Sequence, residues 1–261
     1  MKLIKTLPLL MVAGISLVSC NTKSDLDAVK NAGYLNVGIT IYEPMDYFDD
    51  DGETITGFDA ELADKFADSL GVKTRFITIK WDSKVLELTS NKIDVIWNGM
   101  TITDELKNNI DLTIPYATNY QCVVTKASNI ADYTNADSIK NKKVAVELGS
   151  AGEDAATGVT NLNKVTSQEA ALLEVKAGTS DCAIIDVTMA NTVVGKGDFT
   201  GLATVDASII AFDKEDFGVG LRKGSDMTAK LNEFFKDSYK SGLLKELSTK
   251  YNVALNDDTL K

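Results

Sequence analysis

Alternation of strand-like and helix-like segments restricts the fold of this chain more than any other feature of its sequence. Residues 34–39 alternate in polarity like a strand, and residues 58–70 carry an apolar residue at every fourth position, like one face of a helix. A second strand-like segment at 72–79, a short helix at 83–91 and an apolar strand from residue 93 follow. This order predicts a mostly parallel sheet with helices on its faces, the α/β class.

The segment over residues 94–116 predicts a binding edge. Its apolar run, Val95-Ile96-Trp97, is typical of a strand buried on both faces, and the run ends at Asn98-Gly99, where the chain must turn. Thr101 and Thr103 follow at alternate positions. Open α/β sheets bind their ligands beyond the carboxyl ends of their strands, where these small polar groups lie. A strand, a turn and a solvated helix cap would account for the same residues.

The second half of the chain also alternates between strand-like and helix-like segments. A strand at 142–147 leads into a glycine-rich turn at 148–152, whose free N–H groups suit a carboxylate or another anion. A helix at 167–177 is followed by a buried strand at 181–186, which ends in Asp186. The turn and the acid are therefore predicted at the same edge of a second sheet.

Two polar segments are predicted to cross between the halves. Residues 118–121 precede a strand at 122–126, and the interrupted stretch at 211–217 precedes a strand at 218–221. Residues 225–251 then give two closing helices with a buried apolar face. The two halves share this alternation of strands and helices, but they show no evident sequence repeat.

Composition excludes several classes of function. The net charge of −11 disfavours a nucleic-acid partner, because an acidic surface repels phosphates. The absence of histidine removes the Ser-His-Asp triad and every histidine-containing metal site. The acidic turn at 49–53 lacks the later ligands of a calcium loop. We therefore predict no catalytic residues, no metal and no cofactor.

The amino terminus predicts export. Residues 1–19 have a basic start, a short apolar stretch and small residues before Cys20, as in a bacterial lipoprotein signal peptide. Cleavage would leave Cys20 as the lipidation site and residues 20–27 as a tether. An ordinary secretion signal that contains a cysteine is the alternative. Cys122 and Cys182 lie in apolar runs, and we expect both to be unpaired core residues; the alternative is a disulfide, which an oxidising compartment permits.

Several segments in order share the motifs of one protein family. They are Tyr42-Glu43-Pro44-Met45, residues 57–63, Gly99-Met100-Thr101-Ile102-Thr103, Pro115-Tyr116, Lys142-Lys143-Val144 with Gly149-Ser150, residues 177–186, residues 218–223 and residues 242–251. From about residue 25 to residue 251 the chain thereby resembles the extracellular solute-binding proteins of ABC importers, family 3, in the polar amino-acid branch. No single motif decides this resemblance, but their order does.

The resemblance implies a two-lobed, type II periplasmic-binding-protein fold with two hinge strands and a ligand in the cleft. Lobe one would comprise residues 25–119 and 217–261, and lobe two residues 120–216. It implies a monomeric transport protein, without enzymatic activity, which is lipid-anchored outside the cell membrane and delivers an amino acid or amine to an ABC permease. Alternatives are a ligand-sensing domain for a membrane partner and a dehydratase on the same fold, with Glu147 as its acid.

The resemblance and the local chemistry together predict a set of ligand-binding residues. They are Tyr42, Asp46, Tyr47, Trp81, Trp97, Asn98, Gly99, Thr101, Glu147, Ser150, Ala151, Gly152 and Asp186. Asp186 matches the carboxylate that receives the ligand's ammonium, and Gly99 would offer its backbone. The alternatives are that Tyr42 and Trp81 are plain core aromatics, that Asn98 and Thr101 are turn residues, and that Asp186 is a helix N-cap.

Two positions depart from the family. Leu106 occupies the place of an arginine that clamps the ligand's carboxylate, and Ala151 that of a threonine. Losing such a charge-assisted pair costs on the order of 1.5–3 kcal/mol. The predicted site also gathers acidic and aromatic residues, which attract cations. We therefore hypothesise a ligand with an ammonium group and a carboxylate held less tightly than in relatives.

Overall fold

The computed structural model describes residues 24–261. The predicted signal peptide, residues 1–19, and the lipidation site, Cys20, lie outside the described residues. Residues 25–27, which the sequence assigns both to the tether and to lobe one, form the first turn of a helix that Ser24 caps. None of the helices within the described range combines the length and the apolar character that crossing a membrane would take.

Strands and helices alternate through most of the described chain. The strands are β1 (Tyr34–Ile39), β2 (Tyr47–Phe48), β3 (Ile55–Thr56), β4 (Lys73–Thr78), β5 (Val95–Thr101), β6 (Asp111–Leu112), β7 (Ala117–Lys126), β8 (Lys143–Glu147), β9 (Asn161–Val165), β10 (Cys182–Asp186), β11 (Leu202–Thr204) and β12 (Lys214–Leu221). The α-helices are α1 (Asp25–Ala32), α2 (Phe58–Leu70), α3 (Lys84–Thr89), α4 (Asp104–Asn109), α5 (Ala151–Ala155), α6 (Gln168–Ala177), α7 (Val187–Val193), α8 (Met227–Ser241), α9 (Leu243–Tyr251) and α10 (Asp257–Leu260).

The large sheet has the order β4-β1-β5-β12-β7-β10-β8-β9. β1 is parallel to β4 and β5 in lobe one, and β8 is parallel to β10 and β9 in lobe two. The predicted α/β, two-lobed type II fold is therefore confirmed. The parallel strands of each lobe end at the cleft, so that their last residues face the other lobe.

Two strands, β7 and β12, are the hinge strands that connect the lobes. The first four residues of β7 pair with β12, and its following residues pair with β10. The predicted crossings at 118–121 and 211–217 fall on these strands. The structure has one continuous strand at each place, whereas the sequence suggested a crossing followed by a separate short strand. The polar side chains of β7 and β12 hide this continuity, because they disrupt the apolar pattern that marks a strand.

Aromatic packing fixes the central strand of lobe one. Trp97 on β5 is fully buried and packs edge-on against Phe235 of α8 and tilted against Phe66 of α2. α2 ends at Gly71, which adopts the left-handed conformation that the predicted helix stop requires. Burying side chains of this size stabilises the fold by about 1.5–3 kcal/mol each, and it holds the end of β5 rigidly.

Cys122 and Cys182 lie on β7 and β10. Both are buried and free, which confirms the prediction that they are unpaired core residues. Burial raises the pKa of the Cys182 thiol to about 11, and the Cys122 thiol has a raised pKa for the same reason. Both thiols are therefore protonated at neutral pH and behave as small apolar side chains.

Candidate functional site

A narrow inner cavity lies between the lobes. Its volume is about 20 Å³, which is room for about one water molecule. The lobes are therefore nearly closed on one another. Residues from both lobes line it: Tyr42, Trp81, Asn98, Gly99, Thr101, Glu147, Ser150, Ala151, Gly152, Gln168 and Asp186. Ten of these eleven were predicted from sequence, and the structure brings them together at the carboxyl ends of β5, β8 and β10.

Asp186 forms the centre of the acidic end. It is 4% exposed, and its Oδ1 accepts hydrogen bonds from Asn119 Nδ2 at 2.5 Å and Gln121 Nε2 at 2.6 Å. Gln168 Nε2 donates to Oδ2 at 2.5 Å. Burial, with a smaller contribution from the charge of Glu215, raises the pKa of Asp186 to about 6. At neutral pH the group is therefore mostly ionised but poorly solvated, which favours a cationic partner.

Glu147 is the second buried acid of the inner cavity. It is 3% exposed, and its Oε1 has no hydrogen-bond partner among the described residues. Burial and the nearby charge of Asp186 raise its pKa to about 8, whereas Lys84 opposes that shift. A buried acceptor without a donor is costly. An ammonium group placed between Glu147 and Asp186 would relieve both carboxylates.

Aromatic residues enclose the acidic end. Tyr42 is 2% exposed, and its hydroxyl lies beside Asp186 without a regular hydrogen bond to the described residues. Burial, and then the Asp186 charge, raise the pKa of Tyr42 well above its usual range. Trp81 is 8% exposed and lines the same cavity. Aromatic rings attract cations, and the Trp81 ring already has the Lys84 ammonium over it, with Nζ 4.9 Å from the ring centroid.

Thr101 joins the two hinge strands to the site. Its hydroxyl donates to Glu215 Oε2 at 3.0 Å. The same oxygen accepts from Asn119 Nδ2 at 3.1 Å and from Gln121 Nε2 at 3.0 Å. Because both amides also donate to Asp186, one network runs from β5 through β12 and β7 to β10. The network thus connects the acidic end of the inner cavity with both hinge strands.

Asn98 and Gly99 support the cavity wall through contacts inside lobe one. Asn98 accepts from the backbone and hydroxyl of Thr40, each at 2.9 Å, and donates to Asp46 Oδ2 at 2.7 Å. The Gly99 N–H donates to Asp59 Oδ2 at 2.6 Å. Its φ is +55°, and a Cβ there would lie 2.8 Å from Tyr42. Gly99 is expected to offer its backbone to the ligand, and its N–H is not free for this because Asp59 accepts it.

The turn at 148–152 satisfies most of its own polar groups. The Gly149 N–H donates to Glu153 at 2.7 Å, and the Ser150 hydroxyl accepts from the Glu153 N–H at 3.2 Å. Gly152 packs so closely on β10 that a Cβ would lie 2.7 Å from the Ile184 carbonyl oxygen. The predicted turn before a helix is therefore present, but Gly149 has no free N–H to offer a ligand, and anion binding by this turn stays a prediction.

Three predicted residues are not brought to the cavity, and this corrects the expectation that they gather there. Trp97 is in the core of lobe one because its side chain projects to the face that α2 and α8 cover. Asp46 is fully buried behind Asn98. Tyr47 lies in the β2–β3 hairpin and lines a different opening, beside Glu43 and Lys250.

Metal binding has no support in the described range. Within residues 24–261, no group of three or more acidic or cysteine side chains is arranged to hold an ion. Asp186 is held by the side-chain amides of Gln121 and Gln168, whereas Glu147 Oε1 has no partner among the described residues.

The sequence profile of the bacterial extracellular solute-binding proteins, family 3, matches residues 35–254. The chain belongs to this family. A cavity lined by the strand ends of both lobes is the expected location of a solute site in such a fold. The family assignment confirms the resemblance inferred from the order of the motifs, and it makes this an extracellular solute-binding protein.

Relatives of this family 3 protein include the L-cystine-binding protein TcyJ of Escherichia coli K12, which is 33% identical over 92% of this chain and 91% of its own length. The solved structure of the ancestral amino acid-binding protein AncCDT-1, a precursor of cyclohexadienyl dehydratase, is 31% identical, with a TM-score of 0.80 over 87% of this chain and 99% of that one. A histidine-bound ABC uptake transporter substrate-binding protein from Streptococcus pneumoniae is 27% identical, with a TM-score of 0.79 over 88% and 96%. All three are described as binding proteins.

Sequence reasoning missed three residues around the site of this solute-binding protein: Lys84, Gln168 and Glu215. Gln168 holds Asp186 from two sides, because its Oε1 also accepts from the Asp186 N–H at 2.9 Å. The positions of Gln168 and Lys84 in the sequence could have identified them, since each is the first residue of a helix near a strand end at the cleft. Glu215 lies in the segment interpreted as an irregular crossing, so nothing in its surroundings marked it.

Proposed function

We propose that this protein binds an amino acid or an amino-acid-like amine in the cleft between its lobes and delivers it to the permease of an ABC importer. One observation carries the proposal: two buried carboxylates, Glu147 and Asp186, line one closed cavity with aromatic walls. An ammonium group would supply the hydrogen bonds that Glu147 lacks and neutralise Asp186. The relatives support this chemistry, because they include amino-acid-binding proteins.

Closure of the lobes would couple binding to delivery. A ligand that contacts Asp186 from lobe two and Thr101 from lobe one stabilises the closed arrangement by its differential contacts. The shared network through Glu215 on β12 and Asn119 on β7 would then transmit the ligand's presence to the hinge. The permease would recognise the closed form.

The division into residues 25–119 with 217–261 and residues 120–216 remains our proposal for the lobes. A lipid on Cys20 would anchor the protein outside the membrane, and the protein would act as a monomer. Membrane fractionation checks the anchor: a Cys20→Ser variant should leave the membrane fraction and appear in the soluble one. Retention in the membrane would contradict lipidation at this residue.

Calorimetry over amino acids and amines tests the proposed function. We expect saturable one-to-one binding of at least one ligand with a protonated amine, and no binding of simple carboxylic acids. The experiment should include glutamate and aspartate, whose additional negative charge the acidic cavity disfavours. If either of these two bound best, the assignment of Glu147 and Asp186 to the ligand's ammonium would be wrong.

A further inference from the structure

A larger outer cavity adjoins the inner one. Its volume is about 350 Å³. Four lining residues are shared with the inner cavity: Trp81, Thr101, Ser150 and Ala151. Its far wall includes Lys84 from α3 and Leu106 from α4. A ligand with its ammonium in the inner cavity would therefore extend toward these two side chains.

Lys84 is the only basic residue among those that line the two cavities in the described chain. Its side chain is half-buried and lies over the Trp81 ring, with Nζ 4.9 Å from the ring centroid. Nζ donates to the Gly149 carbonyl at 2.8 Å and to the Trp81 carbonyl at 3.3 Å. Since an ammonium has three donors, one remains for a ligand.

Lys84 also lacks a direct ionic partner. Within residues 24–261 no carboxylate oxygen lies within 4.0 Å of its Nζ, although exposed Asp82, Glu105 and Asp154 surround the outer cavity. Desolvation, opposed by the charge of Glu147, lowers its pKa. A partly desolvated ammonium held only by neutral carbonyls gains from an anion that enters the cavity.

Both cavities contain carboxylates, but those of the outer cavity are exposed to solvent, and Lys84 at its wall is the one ammonium among the described residues that line either cavity. We propose that Lys84 binds the carboxylate of a zwitterionic ligand whose ammonium lies against Glu147 and Asp186. This inference rests on the proposed function, and it narrows the substrate class from amines in general to amino acids. Lys84 would be the residue that selects for the carboxylate.

Leu106 sets how that carboxylate is held. Its buried, apolar side chain lines the same outer cavity and offers no donor. A lysine ammonium is a point charge on a flexible stem, and it cannot form the two-pronged contact of a guanidinium. Lys84 would therefore recognise a carboxylate without fixing its orientation, which agrees with a carboxylate held less tightly than in relatives.

Matched ligand pairs test the role of Lys84. Calorimetry would compare L-cystine with cystamine, L-histidine with histamine and L-arginine with agmatine, since each second member lacks the carboxylate. For any pair that binds, the wild-type protein should prefer the amino acid. Lys84→Met should weaken binding of that amino acid about 10-fold or more and change binding of its amine by less than about 2-fold. Lys80→Met, an exposed neighbour, removes the same charge as a control and should change neither.

Each outcome bears on the proposal. An equal loss for both members of a pair would mean that Lys84 only holds Gly149 and the closed lobes, and it would overturn the inference. A wild-type protein that binds the amine as tightly as the amino acid would overturn it without any variant, even if Lys84→Met failed to fold. If none of the six probes bound, the matched pair would be built from the ligand that the wider calorimetric screen finds. If that screen found no amine that binds, the proposed function would fail, and this inference with it.

Discussion

Two pairs of buried carboxylates belong to the surroundings of the inner cavity: one pair bonds to residues of its wall, and only the other pair lines the cavity itself. Asp46 and Asp59 are fully buried inside lobe one, whereas Glu147 and Asp186 lie at the ends of β8 and β10. Burial raises the pKa of all four carboxyl groups, and the charge of Asp59 adds to the effect on Asp46. Burial and a raised pKa therefore do not by themselves mark a ligand site.

Their surroundings separate the two pairs. Asp59 accepts from the Gly99 N–H at 2.6 Å and from the Tyr116 hydroxyl at 2.8 Å, and it lines neither cleft cavity. Glu147 and Asp186 line the inner cavity that both lobes form. Asp46 and Asp59 stabilise the end of β5 through hydrogen bonds, whereas Glu147 and Asp186 are available to a solute. Substitutions in the two pairs should accordingly affect different properties.

The largest effect is expected for stability at Asp59. Asp59→Ala leaves the Gly99 N–H and the Tyr116 hydroxyl buried without an acceptor, so the free energy of unfolding should fall by about 3 kcal/mol or more. Asp59→Asn keeps an acceptor oxygen and should lose clearly less. Urea unfolding followed by tryptophan fluorescence measures both. Equal losses in the two variants would show that these hydrogen bonds do not carry the role of Asp59.

A smaller effect, on affinity, is expected at Asp186. Asp186→Asn should weaken binding of the ligand found by calorimetry about 10- to 100-fold, because a charged hydrogen bond to its ammonium is lost. The asparagine carbonyl can still accept from Asn119 and Gln121, so unfolding should change less than in Asp59→Ala. Tyr47→Phe, outside the inner and outer cavities, serves as the control and should bind within about 2-fold of wild type. If Asp186→Asn bound as tightly as wild type, Asp186 would not contact the ligand.

Much of the fold could be predicted because its strands are apolar and its helix ends carry clear signals, such as Gly71 after α2. β9 was missed, since its sequence, NLNKV, is polar and lies half-exposed at the sheet edge. The sequence of the hinge strand β12 predicts an irregular segment at its start, because Glu215 and Asp216 interrupt the apolar pattern that marks a strand. Strands that carry functional polar side chains are thus the hardest to recognise from pattern alone.

Sequence patterns also fail to predict the roles of some single residues of the site. Trp81 and Trp97 looked equivalent in sequence, yet one lines the cleft and the other fills the core. β5 is buried on both faces, so alternation could not tell which of its side chains point to the ligand. Lys84 was overlooked because a lysine on a short helix is usually solvated. Its contact with Gly149 in the other lobe depends on lobe closure, which no local pattern encodes.

The smallest expected effect concerns the pH dependence of stability at Glu147. Its folded pKa of about 8 lies above the ordinary value of 4.5, so the folded protein binds more protons than the unfolded chain between these limits. Its stabilising effect is fully present below the lower limit, and it is lost as the pH rises through the folded pKa. One such group can contribute a slope of at most about 1.4 kcal/mol per pH unit.

Asp186, with a pKa of about 6, contributes mainly at lower pH, but the pKa of Asp59 is raised to about 7 and that of Asp46 is also raised. The wild-type slope from pH 6 to 8 is therefore a sum, and the difference between wild type and Glu147→Gln reports Glu147. Glu147→Gln should flatten the fall in unfolding free energy over this range, measured by urea unfolding at several pH values without ligand. Glu153→Gln is the matched control, because its ion pair with Lys164 lowers the pKa of Glu153 and moves its titration to acid pH. If the wild-type slope persisted in Glu147→Gln, Glu147 would be ionised throughout this range. The ligand's ammonium would then meet two charged carboxylates, in contrast to the single charge that the raised pKa implies.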